Sequence, residues 1–197
     1  MSKMVRILGV DPGSRLTGYG CVEVRAGCIR LITHGTLRLT ARHAHGPEAT
    51  MSDRLSRLFR GLSEVIVEHK PQVLVVENVF FAKNANSALK LGQARGVVIL
   101  TAAEHGLDLH EYSATEVKKS IAGYGQADKL QVARVLQVIL GKQVFDTPDA
   151  SDGLALSVYH ALAHAMGARS AAQALHPSTK KRSRGGSLAD AVRHRIK

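Results

Sequence analysis

Two short apolar runs each end on a carboxylate, and that feature constrains this chain most. Val5–Val10 runs into Asp11, and Val73–Val76 runs into Glu77. Each run reads as a buried strand: short, rich in branched apolar residues, and bounded by turn or loop residues. A carboxylate at the end of a buried strand is costly unless something partners it. In an open α/β sheet, chemistry gathers outside the strand ends.

The remaining pattern supplies the rest of such a sheet. Asp11-Pro12-Gly13-Ser14 is turn chemistry, and Tyr19–Val24 and Ile29–Leu39 are strand-like, with Ala26-Gly27 between them. Three runs joined by short turns predict an antiparallel meander. From Met51 the period becomes helical, with Leu55, Leu58, Leu62, Val65, Ile66 and His69 in step, and Pro71 marks the exit. Asn84–Ala103 reads as a second helix stopped near Gly106, Leu109–Tyr112 as a strand, and Thr115–Ile121 as a helical turn. Asp128 is placed to cap a helix running to Leu140, and Thr147–Gly167 is the last helix. The expected order is β-β-β-α-β-α-β-α-α. Right-handed crossovers would add the later strands to the same sheet. The fold class is therefore α/β: a mixed five-stranded sheet, three strands antiparallel and then parallel strands, flanked by helices.

Composition narrows the class. With 197 residues, 45% of them hydrophobic, the chain can bury a core as one domain. No apolar run approaches the ~18 residues of a membrane span. The N-terminal apolar stretch is too short for a secretion signal, and Cys21 and Cys28 lack zinc or redox spacing. A cytoplasmic protein is expected. The net charge is +11, of which residues 169–197 carry +7. Beyond Ala168 no periodic apolar pattern appears, so 169–197 is expected to be a basic, disordered tail. Such a tail suits a polyanion such as nucleic acid, or it simply aids solubility.

Two further acids stand out. Asp149 and Asp152 are spaced i, i+3 in a helix whose other residues include Ala150, Gly153, Leu154, Ala155 and Leu156. No Lys or Arg lies between Phe145 and Ala168 to neutralise them. A cation is the simplest remedy, and oxygen-only ligands suit Mg²⁺ or Mn²⁺ rather than zinc. Two such ions about 4 Å apart would serve both the attacking and the leaving oxygen of a phosphodiester. Taken singly, each acid also has a structural explanation: Asp11 capping a turn, Glu77 meeting an Arg, Asp149 capping a helix. Asp146 reads as a cap or turn residue. His160 and His164, at i, i+4, read as packed histidines because no third zinc ligand accompanies them. Gly92 and Gly96 would permit close packing on their helix.

At this level of detail the chain resembles a known family. Asp11-Pro12-Gly13-Ser14-Arg15-Leu16-Thr17-Gly18-Tyr19-Gly20 is similar to the first catalytic motif of the RuvC Holliday junction resolvases. Val76-Glu77-Asn78-Val79-Phe80-Phe81-Ala82-Lys83-Asn84 resembles the second. Ser87-Ala88-Leu89-Lys90-Leu91-Gly92-Gln93-Ala94-Arg95-Gly96 resembles the helix that follows it, and Asp149-Ala150-Ser151-Asp152-Gly153-Leu154-Ala155-Leu156 the last catalytic helix. The similarity runs over residues 4–167, in order.

The resemblance implies a ribonuclease H-like nuclease domain over residues 1–168, acting as a homodimer. Each subunit would use two Mg²⁺ ions, with Mn²⁺ substituting. The dimer would nick two like-polarity strands of a four-way DNA junction in recombination and repair, alongside a RuvA–RuvB branch-migration complex. The four family carboxylates fall on Asp11, Glu77, Asp149 and Asp152. The junction-contacting aromatic falls on Phe80, with Phe81 beside it, and two functional lysines fall on Lys118 and Lys129. Two other classes compete. Asp-x-Gly-Ser turns also occur in sugar-kinase and actin-like folds, but those need a longer, two-lobed chain. A non-catalytic DNA-binding module would tolerate replacement of Asp11 or Glu77.

Overall fold

The computed structural model describes residues 4–40, 49–78, 85–123, 126–141 and 148–175. In chain order the elements are β1 (Val5–Asp11), β2 (Leu16–Arg25), β3 (Cys28–Arg38), α1 (Met51–His69), β4 (Val73–Glu77), α2 (Ala85–Glu104), β5 (Asp108–Tyr112), α3 (Ala114–Ala122), α4 (Lys129–Leu140) and α5 (Pro148–Leu175). The five strands form one sheet in the order β3-β2-β1-β4-β5. β1 is antiparallel to β2 and parallel to β4, β2 is antiparallel to β3, and β4 is parallel to β5. This is the expected mixed sheet.

Side-chain alternation sorts the strands' apolar residues onto two faces. Ile7, Val73 and Val75 pack in one core with Val117, Val132, Leu136 and Leu154, beneath α3, α4 and α5. Leu8, Val10, Leu74 and Val76 pack in the other with Leu58, Leu62, Ala94 and Val98, beneath α1 and α2. The same period of two carries Asp11 and Glu77 onto the α3–α5 face. Helices therefore cover both faces, and the acids emerge on the side where α5 lies.

Local chemistry starts the helices where the sequence suggests. Thr50 and Asp53 form a capping box at α1, and Asp128 and Gln131 form one at α4, as expected of Asp128. Two expectations need correction. The helical turn after β5 is a nine-residue helix, α3, because Ser113 and Glu116 make a capping box directly after the strand. The chain thus ends in three helices rather than two. The last helix continues past Gly167 to Leu175. Ala165, Ala168, Ala171, Ala172 and Ala174 have high helix propensity, which needs no apolar periodicity. Residues 176–197, the remainder of the basic tail, lie outside the described residues. No helix among the described residues is long and apolar enough to cross a membrane.

Candidate active site

The site begins with how closely α5 approaches the sheet. A Cβ on Gly20 of β2 would stand 2.5 Å from Leu154 Cα, and one on Gly153 of α5 would stand 2.7 Å from Tyr19 Cα. Side chains at these positions would collide with backbone, so only glycine lets helix and strands touch. Gly9 faces the Gly153 carbonyl, and Gly18 faces the backbone of Asp149. Gly18 is also the cross-strand partner of Asp11. The first turn of α5 is thereby seated beside the end of β1, and Asp149 and Asp152 are brought to Asp11.

Three of the four expected carboxylates converge. Asp11, Asp149 and Asp152 each offer an oxygen, and these oxygens lie within 4.8 Å of one another. All three residues are half-buried. Glu77 lies outside this group but lines the same cavity, about 300 Å³ in volume, with Asp11, Asp152 and Lys118. Asn78 N–H donates to the Tyr112 carbonyl at 2.8 Å, so pairing with β5 continues past Glu77 and fixes that strand end. Asp149 sits in the first turn of α5, where the positive end of the helix dipole favours an acid. Convergent carboxylate oxygens, half-buried and contributed by rigid elements, fit a hard divalent cation. They could hold Mg²⁺ or a similar ion.

The turn between β1 and β2 is also fixed. Buried Thr17 closes it, its Oγ1 accepting from Gly13 N–H at 3.3 Å. Across the cavity, Lys118 sits on α3, whose start is pinned by the Ser113 capping box. Lys118 therefore lines the cavity of Asp11, Glu77 and Asp152 from a rigid helix. Lys129 opens α4, and its side chain lies outside the described residues. Phe80, Phe81 and Asp146 also lie outside them.

Two turns beyond Asp152, α5 is tied to the sheet again. The Tyr112 hydroxyl and His160 Nδ1 are 2.9 Å apart, joining the end of β5 to the helix. Tyr159 packs edge-on against Tyr112, with centroids 4.7 Å apart. His160 is buried between His110 and His164. Burial first, then its two histidine neighbours, pull its pKa down to about 4, so the ring is neutral near pH 7. This matches the packed reading for His160, whereas His164 stacks on its ring but is itself exposed.

The glycine seat was not read from the sequence as a determinant of the site. Its signal was present, because Gly18 and Gly20 alternate within a strand and so both face one side. Gly92 and Gly96 meet nothing within 4 Å, so they support no packing inside this chain.

Comparison with known proteins agrees with this geometry. The family model described as "Crossover junction endodeoxyribonuclease RuvC" matches residues 7–160. A crossover junction endodeoxyribonuclease RuvC of Hahella chejuensis is 45% identical over 157 residues, covering 80% of this chain and 87% of that protein. The structure of T. thermophilus RuvC in complex with Holliday junction substrate superposes with a TM-score of 0.71 at 31% identity, covering 83% of this chain and 96% of that one. The yeast mitochondrial Holliday junction resolvase Ydc2 shares the fold, with a TM-score of 0.61 at 14% identity over 87% of this chain and 84% of that one.

Proposed function

The chain belongs to the RuvC family of crossover junction endodeoxyribonucleases, and on that premise we propose how its residues resolve a four-way (Holliday) DNA junction by hydrolysing phosphodiester bonds. The observation that carries the reading is the meeting of Asp11, Asp149 and Asp152 oxygens within 4.8 Å at the end of the central strand. Asp11 is held by pairing on both sides of β1, and the two α5 acids by the glycine seat. With Glu77 they would hold two Mg²⁺ ions per subunit, for which Mn²⁺ would substitute. Bound there, such ions would supply the positive charge needed to activate a water and to neutralise the leaving 3′ oxygen.

The protein's own work is placement and charge. By holding the ions the carboxylates would fix where the scissile phosphate sits, and Lys118 adds a cation to the lining of the same cavity. Lys129, at the start of α4, contacts the DNA backbone, and Phe80 stacks on a base at the crossover. Paired nicks need two active sites, and the outer face of α2 supports a homodimer. Ala85, Leu89, Gly92, Gly96, Leu100 and Ala103 recur on one exposed side of that helix, with Leu89 63% and Leu100 53% exposed. Two glycines in that stripe would let a partner helix approach closely. A RuvA–RuvB complex delivers the junction, and the basic residues beyond α5, in 176–197, add polyanion contacts. Action on junction DNA supports a cytoplasmic protein.

Asp152→Asn tests the metal reading. The variant should bind a synthetic junction as tightly as wild type and cut it at least about 100-fold more slowly. Undiminished cutting would remove Asp152 from the mechanism.

A further inference from the structure

A second cavity lies at the same end of β1, and its chemistry is opposite to that of the acidic one. It has a volume of about 460 Å³ and is lined by Ser14, Arg15, Arg54, Ser87, Lys90 and Leu91. Three cations and two hydroxyls face it, and no carboxylate does. Among the described residues, no ion pair engages Arg15, Arg54 or Lys90.

Arg15 is anchored through its backbone and Arg54 through its side chain, while Lys90 is exposed. Leu39 N–H donates to the Arg15 carbonyl at 2.9 Å, fastening the turn after β1 to the end of β3. Arg54 Nε donates to the Ala49 carbonyl at 3.1 Å, which aims the guanidinium. Arg54 lies in the first turn of α1, and Ser87 and Lys90 lie in the first two turns of α2. The positive ends of two long helix dipoles therefore meet at this pocket. Two guanidinium forks, one of them aimed by the Ala49 carbonyl, with an ammonium and hydroxyl donors form a receptor for a phosphate group.

Its place relative to the carboxylates identifies which phosphate. Ser14 is three residues from Asp11, a chain reach of at most about 11 Å. Phosphates along one DNA strand recur about every 3.4 Å of helix axis. Asp11 and Glu77 face the α3–α5 side of the sheet, whereas Arg54, Ser87 and Lys90 come from helices on the other side. A strand crossing the sheet's end would present one phosphate to the acids and another, a few nucleotides along, to this pocket. We infer that the pocket formed by Arg15, Arg54, Lys90, Ser14 and Ser87 grips a non-scissile backbone phosphate of the strand being cut, and so sets the register of that strand over the carboxylates. This rests on the nuclease reading above.

The test is binding of a synthetic four-way junction in EDTA, which suspends cleavage, by wild type, Arg54→Gln, Lys90→Gln and the double variant. Arg54 is half-buried and Lys90 exposed, and unchanged melting curves would establish that folding is intact. Each single variant should bind about tenfold more weakly near 0.1 M salt. The double variant should lower the slope of log K against log salt by about 0.9, the loss of one phosphate contact. Junctions carrying one neutral methylphosphonate at successive positions should weaken wild-type binding wherever a contacted phosphate is neutralised, and one such position, non-scissile, belongs to this pocket. The double variant should be indifferent at that position. Equal binding and slope for wild type and double variant would overturn the pocket's role, as would a loss independent of methylphosphonate position. A wild-type chain that binds no junction would overturn the nuclease reading itself.

Discussion

Replacing Gly153 by Ala tests whether backbone contact positions the acids. The new Cβ would stand 2.7 Å from Tyr19 Cα and 2.8 Å from both the carbonyl carbon and oxygen of Gly18. Carbon–carbon contacts relax at about 3.5–4.0 Å, so α5 must retreat by about 1 Å. Those atoms belong to β2, which is paired on both sides, and they cannot give way cheaply. Overpacking of this kind costs about 1–3 kcal/mol. Ala gains about 1 kcal/mol over Gly in a helix, which offsets part of that. The net loss of about 0–2 kcal/mol would lower Tm by at most about 8 °C for a domain of this size. The effect on catalysis should be larger than the effect on stability. Asp152 is the preceding residue, and about 1 Å of misplacement costs about 100-fold in rate. Thermal melting and single-turnover junction cleavage, measured side by side, separate the two effects. Wild-type cleavage by Gly153→Ala would refute the claim that this contact sets the site.

Three other expectations follow from the same geometry. The folded pKa of His160, about 4, lies below the usual value near 6.5, so the unfolded chain takes up a proton that the folded one refuses. Its contribution is full above pH 6.5 and is lost as pH falls toward 4; solvent screening reduces it to about 1–2 kcal/mol. Denaturant titrations at pH 7.5 and 4.5 should show a smaller pH-linked loss in His160→Gln than in wild type, and an equal loss would contradict this. Leu100→Glu places a charge in the exposed stripe of α2 and should give monomers by analytical ultracentrifugation, with far-UV circular dichroism unchanged. A persistent dimer would move the interface elsewhere. Mg²⁺ at about 100 times its Kd should stabilise wild type by about 2.7 kcal/mol, or several degrees in Tm. Asp152→Asn should lose most of that gain, and an equal rise in both proteins would place the ion elsewhere.

Much of the architecture was legible because the signals were local and agreed with one another. Val5–Val10 and Val73–Val76 are too apolar and too short for anything but buried strands, and the observed β1 and β4 end on Asp11 and Glu77. The i, i+3 spacing of Asp149 and Asp152 predicted a shared helix face, and both oxygens meet Asp11. The continuation of α5 to Leu175 escaped a reading based on apolar periodicity, because alanine favours helix without patterning. What joins distant segments was less legible. Nothing local pairs Arg15, Arg54 and Lys90, which three separate elements bring to one cavity. Likewise, Tyr112 and His160 are 48 residues apart, and only the packing of α5 on the sheet makes them partners.

In the proposed mechanism the carboxylates at the end of β1 cut junction DNA with the help of a divalent ion. A cleavage assay tests this most directly. A synthetic mobile four-way junction and a matched linear duplex are incubated with wild type or Asp11→Asn, each in Mg²⁺ or in EDTA. Paired nicks are expected in the junction alone, dependent on Mg²⁺ and lost in Asp11→Asn while junction binding persists. Junction cutting by Asp11→Asn at the wild-type rate, or by wild type in EDTA, would contradict it.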